Sequence, residues 1–271
     1  MSKLYPNLFQ LLWYSSLPCY HLPGLSDEFM VKKCQVAGRK IECSRIFRQV
    51  PTDIGMCCAL NAQSVIKESE YSDLISKMQE SSEFLDKQSL GSTEKVSVAV
   101  GLGNGLKLTL DLHSNFQSFG TVVNDFDAFR LFIGQSTEFP AMTEKSLVIQ
   151  PGHEHFLDLS SHSLSTSGIE MIRPEDRNCY FQYEGDLEFY AKYTFINCRF
   201  ECGLRHTKQA QNCTPWYFPQ DQAYPVCDPW RERLFSEELT NVHEDESKCL
   251  HCLPDCEIRD ISVTASMAKF R

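Results

Sequence analysis

Thirteen cysteines in 271 residues constrain this chain more than any other feature. A chain of this length can bury a real hydrophobic core, so the cysteines are not compensating for smallness. Their density points instead to an oxidising compartment, where disulfides form and persist. They fall in two groups, Cys19 to Cys58 and Cys179 to Cys256. Zinc is the competing use of closely spaced cysteines. Asn212-Cys213-Thr214 is an acceptor pattern for N-linked sugar and agrees with the oxidised alternative. The net charge of −10, with no Lys/Arg-rich run, argues against nucleic acid as a partner. An acidic surface suits solubility or the attraction of cations.

No stretch reaches the ~18–20 apolar residues of a membrane helix. Leu8 to Tyr14, after the single Lys3, makes a short and poor secretory leader. The composition therefore reads as extracellular without a means of export, and the expectation is a fragment of a longer, membrane-inserted protein. Residues 62–94 hold no cysteine or proline and are rich in Ser, Glu and Lys, with a partial stripe of Val65, Leu74, Ile75 and Met78. A solvated helix or a mobile insert is expected there.

From residue 95 to 172 the apolar period is two. Lys95–Val100, Leu106–Leu112, Phe129–Ile133 and His155–Ser160 read as half-buried strands of a largely antiparallel sheet. Gly103-Asn104-Gly105 supplies a tight turn. Residues 187–211 read as helical, through Phe189, Tyr190, Tyr193, Phe195, Cys198 and Cys202. Residues 228–241 are a second amphipathic candidate, with Trp230, Leu234, Phe235 and Leu239. The prolines at 215, 219, 225 and 229 keep the connection non-helical, and Glu257–Phe270 forms a further candidate strand.

Cys198 and Cys202, four apart on the expected helix, share one face. Downstream, Cys249, Cys252 and Cys256 lie on a segment able to run alongside. Such a pair of elements can carry nested disulfides, of which Cys179–Cys256, Cys198–Cys252 and Cys202–Cys249 are one arrangement, with Cys213–Cys227 closing the loop between the helices. Spacing alone permits many pairings, and a zinc site from Cys198, Cys202, Cys249 and Cys252 is the alternative. Gly101-x-Gly-x-Gly105 lacks the spacing of a nucleotide loop, and no Gly-x-Ser-x-Gly or His-Glu-x-x-His motif occurs. His153 and His155 share one side of a strand and default to strand-end histidines rather than a metal site. Neither an enzyme nor a cofactor is expected.

These residues resemble a known family. Gly55-Met-Cys57-Cys58-Ala-Leu-Asn61, Asn104-Gly-Leu-Lys-Leu-Thr-Leu-Asp-Leu112, Pro151-Gly152, Phe189-Tyr-Ala-Lys-Tyr193 leading to Cys198-Arg-Phe-Glu-Cys202, and Cys252-Leu-Pro-Asp-Cys256 occur in that order. Over roughly residues 30–271 the chain resembles the extracellular domain of the degenerin/epithelial sodium channel family, which includes acid-sensing channels. The paired Cys57-Cys58, with Cys34 and Cys43 before them, is most similar to the arthropod pickpocket branch. The resemblance implies an α+β fold, with an antiparallel palm and β-ball and a disulfide-laddered helical thumb. It implies a cysteine-rich, finger-like part over 1–61, the variable insert over 62–94, the β-rich palm over 95–184, the thumb over 185–248 and a return strand over 249–271. It also implies the ladder pairing above and Cys34–Cys43.

The same resemblance implies a subunit of a homo- or heterotrimeric, sodium-permeable channel of the plasma membrane, facing outward and open to an extracellular ligand. Two membrane helices flank this domain in the family, and the Gly/Ser-x-Ser filter belongs to the second. A soluble, secreted cysteine-rich binding protein is the other reading. The thumb of acid-sensing channels carries one more cysteine pair; here its first position is Gln211, and no cysteine lies between Cys227 and Cys249. Cys57 is expected to pair beyond this chain, which leaves Cys19, Cys57 and Cys58 unassigned. The acidic run Glu237, Glu238, Glu244, Asp245 and Glu246 reads as a solvated helix face or, by the same analogy, as the candidate for proton or cation sensing. The sequon itself makes Asn212 the candidate for glycosylation.

Overall fold

The computed structural model describes residues 16–21, 28–60, 101, 103–112, 128–142, 146–166, 168–218 and 224–270. The leader-like Leu8–Tyr14, the polar tract 62–94 and the candidate strand Lys95–Val100 lie outside them.

Among the described residues, alternating apolar side chains build short antiparallel sheets rather than one continuous sheet. Strand β1 (Val31–Val36) is flanked by β2 (Arg39–Ile41) and β5 (Leu106–Leu110). Ala37 and Gly38 both take positive φ, 49° and 73°, the geometry of a two-residue hairpin loop that follows the strand twist. Val31, Cys34 and Phe47 form the small core under this sheet. Strands β3 (Phe47–Thr52) and β4 (Gly55–Leu60) make a hairpin, and β6 (Phe129–Leu131) pairs with β7 (Leu147–Ile149). The longest pairing joins β8 (His153–Ser165) to β9 (Glu257–Lys269), in register from His153 opposite Lys269 to Ser165 opposite Glu257. Half-burial holds for His153–Leu157 and is lost from Asp158 onward, where β8 is exposed on both faces, as is most of β9.

Among the described residues three helices follow β8. The short α1 (Pro174–Arg177) precedes α2 (Phe195–Gln211) and α3 (Pro229–Glu244), and a 3₁₀ turn, Glu246–Cys249, leads toward β9. Around α2 and α3 lies the main core, an aromatic stack in which Phe139 meets Phe200 at 4.3 Å and Phe200 meets Phe218 at 5.4 Å between ring centroids. Aromatic pairs at such separations add about 0.5–1.5 kcal/mol beyond their buried area.

Two expectations about the helices are corrected. Helix α2 begins at Phe195, not at 187. Thr194 is extended, with φ −139°, and its hydroxyl accepts the Asn197 N–H at 3.1 Å, a side-chain N-cap. Leu187, Phe189, Tyr190 and Tyr193 are buried from an irregular segment, so their helix-like spacing reflects core packing. In α3 the buried face is Phe235, Leu239 and Val242, while Trp230 and Leu234 point outward.

Candidate functional site

Helix α2 presents Cys198 and Cys202 one turn apart on its buried face. The 3₁₀ turn and the irregular 250–256 segment run beside that face. Cys202 bonds Cys249 and Cys198 bonds Cys252, with Cα–Cα distances of 6.1 and 5.6 Å. Cys179 bonds Cys256 at 5.1 Å, and Cys213 bonds Cys227 at 5.0 Å. Constraint of the unfolded chain contributes about 3 kcal/mol for the 213–227 loop and about 4.5 kcal/mol for the 77-residue separation of 179 and 256. The three rungs are nested, so their contributions do not add. The sulfurs of Cys198, Cys202, Cys249 and Cys252 are consumed in these bonds and supply no thiolate for zinc. Exposed His251 lies within 4.8 Å of the Cys198 and Cys252 sulfurs, and it too faces a closed disulfide.

Hydrogen bonds continue the ladder to the root of the β8–β9 ribbon. The Tyr193 hydroxyl donates to Leu253 O at 2.6 Å, and the Asp255 carboxylate accepts the Phe195 N–H at 3.1 and 3.2 Å. Burial pushes both the Tyr193 hydroxyl and the Asp255 carboxyl above their ordinary ranges. Tyr180 N–H donates to Pro254 O, and Cys256 N–H to Tyr180 O, both at 2.9 Å. The Thr166 hydroxyl, just past β8, donates to Cys256 O at 2.8 Å. Gly185 lies against the Tyr193 ring, where any Cβ would collide. Arg177, paired with Glu184 and donating to Cys179 O at 3.1 Å, knots the segment that presents Cys179. Buried Glu201 reaches back from α2 to accept the N–H groups of Glu188 and Phe189 at 2.9 and 3.1 Å.

A second junction joins the β3–β4 hairpin to the helical lobe. At the turn, Asp53 accepts the Met142 N–H at 3.0 Å, and Met56 packs against the main core. Tyr217, fully buried, feels the charges of both Asp53 and Glu232; burial first, then these two carboxylates, raises its hydroxyl well above the usual range. Glu232, in the first turn of α3, is pushed up to about 8 by burial, which the Trp216 N–H only partly offsets. Its Oε2 is buried and has no hydrogen-bond partner. A carboxyl that titrates near neutrality was not among the expected site residues. Its place in the first turn of α3 suggests only an ordinary helix-dipole role, and the neighbouring Trp216 and Tyr217 give no signal of which side chain they meet.

The acidic run is dispersed. Glu237 pairs with Arg233 at 3.1 Å, and Asp245 caps the 3₁₀ turn through Ser247 with Lys248 at 3.8 Å. The hydrogen bonds from Ser247 hold the Asp245 carboxyl below its usual range, so it stays charged near neutral pH. Glu238 is half-buried on α3; Glu244 ends that helix and Glu246 opens the turn. Asn212 is exposed and caps α2 in the left-handed conformation, with φ 53°. His153 and His155 lie with ring centroids 6.3 Å apart, each within 3.1 Å of a separate backbone carbonyl.

Among the N-terminal cysteines, Cys34 bonds Cys43. Cys19 and Cys58, which the sequence leaves unassigned, bond each other across 39 residues. That bond ties the Cys19 segment to β4, and at the start of β1 Met30 N–H donates to Pro18 O and Val31 N–H to Cys19 O, both at 2.9 Å. Cys57 faces the other side of β4 and is the free cysteine among the described residues. Burial pushes its thiol up, and the Thr52 hydroxyl lies 3.2 Å away, so it is a poor nucleophile.

A family model described as "Amiloride-sensitive sodium channel" matches residues 8–271. The chain is 23% identical over 248 residues to Pickpocket protein 28 of Drosophila melanogaster, covering 84% of this chain and 40% of that protein. It is 24% identical to the sodium channel protein Nach of the same species, over 73% of this chain and 36% of the relative. It is 25% identical to acid-sensing ion channel 1 of Gallus gallus, over 66% of this chain and 33% of the relative. The matched region thus spans less than half the length of these relatives. Among the described residues no helix is long and apolar enough to cross a membrane.

Proposed function

The chain belongs to the amiloride-sensitive sodium channel family, and from that premise we propose that residues 1–271 are the extracellular part of a sodium-permeable, stimulus-gated channel subunit. The named relatives are ion channels and not enzymes. In this reading the subunit sits in the plasma membrane, assembles as a homo- or heterotrimer and exposes this domain to an extracellular ligand or stimulus. Residues 1–61 are the finger-like part, 62–94 the variable insert, 95–184 the palm, 185–248 the thumb and 249–271 the strand that returns toward the membrane.

The observation that carries the reading is the continuous tie from α2 to β9. Three disulfides, with Tyr193, Asp255 and Tyr180 between them, fasten a rigid helical lobe to the root of a long ribbon. Such a lobe moves as one body and passes a displacement to β9 without absorbing it. The acidic run serves as a cation-attracting surface, and any proton response near neutrality is carried by carboxyls other than Asp245.

The test is electrical. The full-length subunit, expressed alone and with its paralogues, carries an amiloride-sensitive sodium current that is lost when Cys179 and Cys256 are both changed to Ser while surface delivery is kept. No current in any subunit combination, with the protein recovered in the medium, contradicts the proposal. Neutralising Glu244, Asp245 and Glu246 together shifts the pH dependence of that current; an unchanged curve removes the acidic run from the sensing role.

A further inference from the structure

The sequon Asn212-Cys213-Thr214 is unusual in having a disulfide cysteine as its middle residue. In the folded domain its three residues have opposite fates. Asn212 is exposed, while Cys213 and Thr214 are both fully buried. The Thr214 hydroxyl is enclosed and has no hydrogen-bond partner. The backbone is locked on both sides as well. Asn212 N–H donates to Lys208 O at 3.0 Å, Thr214 N–H to Pro225 O at 2.9 Å, and Cys227 N–H to Thr214 O at 2.9 Å. The Cys213–Cys227 bond closes over this pairing.

A glycosyltransferase that reads Asn-x-Thr must reach the Thr hydroxyl and hold the tripeptide in its own conformation. Neither is available once Cys213 and Cys227 are joined. The finished fold nevertheless leaves the Asn212 side chain outside, so a sugar attached earlier is accommodated. We infer that Asn212 is a glycosylation site used only before the Cys213–Cys227 disulfide closes, so that the two modifications compete for the same nascent segment.

This rests on the reading of the chain as an extracellular domain. In the first reaction the Asn212 amide nitrogen bonds the anomeric carbon of a lipid-linked oligosaccharide. The carbon–oxygen bond to the lipid diphosphate breaks, the diphosphate leaves with the electron pair, and an amide proton passes to a base of the transferase. In the second, the thiols of Cys213 and Cys227 give two protons and two electrons to the disulfide of an oxidoreductase, which becomes a dithiol. Cys227 follows Cys213 by 14 residues. At about 5–20 residues per second of synthesis, that is a head start of roughly 1–3 s. Disulfide formation itself takes seconds to hours, so the outcome depends on the redox state of the lumen.

Translating the full chain into microsomes behind a cleavable leader, with a second sequon appended after Arg271, tests the competition. Mobility before and after endoglycosidase treatment is the readout, and the appended sequon reports arrival in the lumen. Under oxidising conditions the Asn212 glycan is incomplete and the chain runs as a doublet. Added reductant, Cys213→Ser or Cys227→Ser each shift it to the single slower band, and Thr214→Ala abolishes that band. Unglycosylated protein folded first and offered to the same transferase stays unmodified. If the doublet is unchanged by reductant and by both cysteine variants, or if the prefolded chain is modified, the inference fails. An unmodified appended sequon instead points to a chain that never entered the lumen and counts against the extracellular reading.

Discussion

The helical lobe and the β8–β9 ribbon are opposite solutions to the problem of holding a shape. The lobe buries twenty core residues among those described and is crossed by disulfides at Cys198, Cys202 and Cys213. The ribbon pairs thirteen residues on each strand yet leaves Leu159, Leu164, Ile258 and Met267 exposed. A lone two-stranded ribbon is at best marginally stable in water. What fixes it is its root, where Cys179–Cys256 and the Thr166 hydrogen bond tie it to the lobe. The lobe is the rigid part, and the ribbon is tied to it at residues 179–180 and 254–256.

Deleting core volume should separate the two regions most sharply. Phe200→Ala removes the centre of the aromatic stack and is expected to cost about 3–5 kcal/mol. Leu159→Ala or Leu164→Ala on the ribbon should stay within about 0.5 kcal/mol. Denaturant midpoints of the isolated domain check both, and equal losses would erase the distinction.

The pH dependence of the lobe comes next in size. Glu232 has a folded pKa of about 8, raised above its unfolded value by burial. The folded state therefore holds the proton more tightly. Its contribution to stability is fully present below the unfolded pKa, near 4.5, and is lost as pH rises through about 8. The loss is of order a few kcal/mol, since each pH unit in the window is worth about 1.4 kcal/mol. Glu232→Gln should flatten melting temperature against pH between 5 and 8, and a slope unchanged in the variant would exclude this carboxyl.

Smaller still is the N-cap. Thr194→Ala should cost about 1 kcal/mol and fray the first turn of α2, next to Cys198. Ser160→Ala removes the hydroxyl contact of 2.6 Å with Ser262 across the ribbon and should cost at most a few tenths of a kcal/mol. Amide exchange in the first turn of α2 and thermal melts would show whether the lobe responds more strongly than the ribbon.

Much of this arrangement is legible in the residues, and the misreadings have physical causes. By the helical period, two cysteines four apart share one face of the expected helix, one turn apart, and the structure places them so. Phe189, Tyr190 and Tyr193 imitate that period from an irregular segment, since a core accepts aromatic side chains from any backbone that delivers them. The real boundary was present as Thr194, whose hydroxyl can cap a helix. The far half of β8 was missed because Ser160–Ser165 has no apolar alternation; a ribbon exposed on both faces imposes none. Cys19–Cys58 joins residues 39 apart with no periodic relation between them. Glu232 was illegible because its burial is decided by how α3 packs on the 216–217 segment, which no local pattern encodes.

The central claim is that the lobe holds the ribbon through its root. Hydrogen exchange on the domain with Cys179→Ser and Cys256→Ser, set against the unaltered domain, tests it most directly. The account predicts lost protection along β8 and β9, with α2 and α3 unchanged. Unaltered protection in the ribbon, or protection lost equally in the helices, would contradict it.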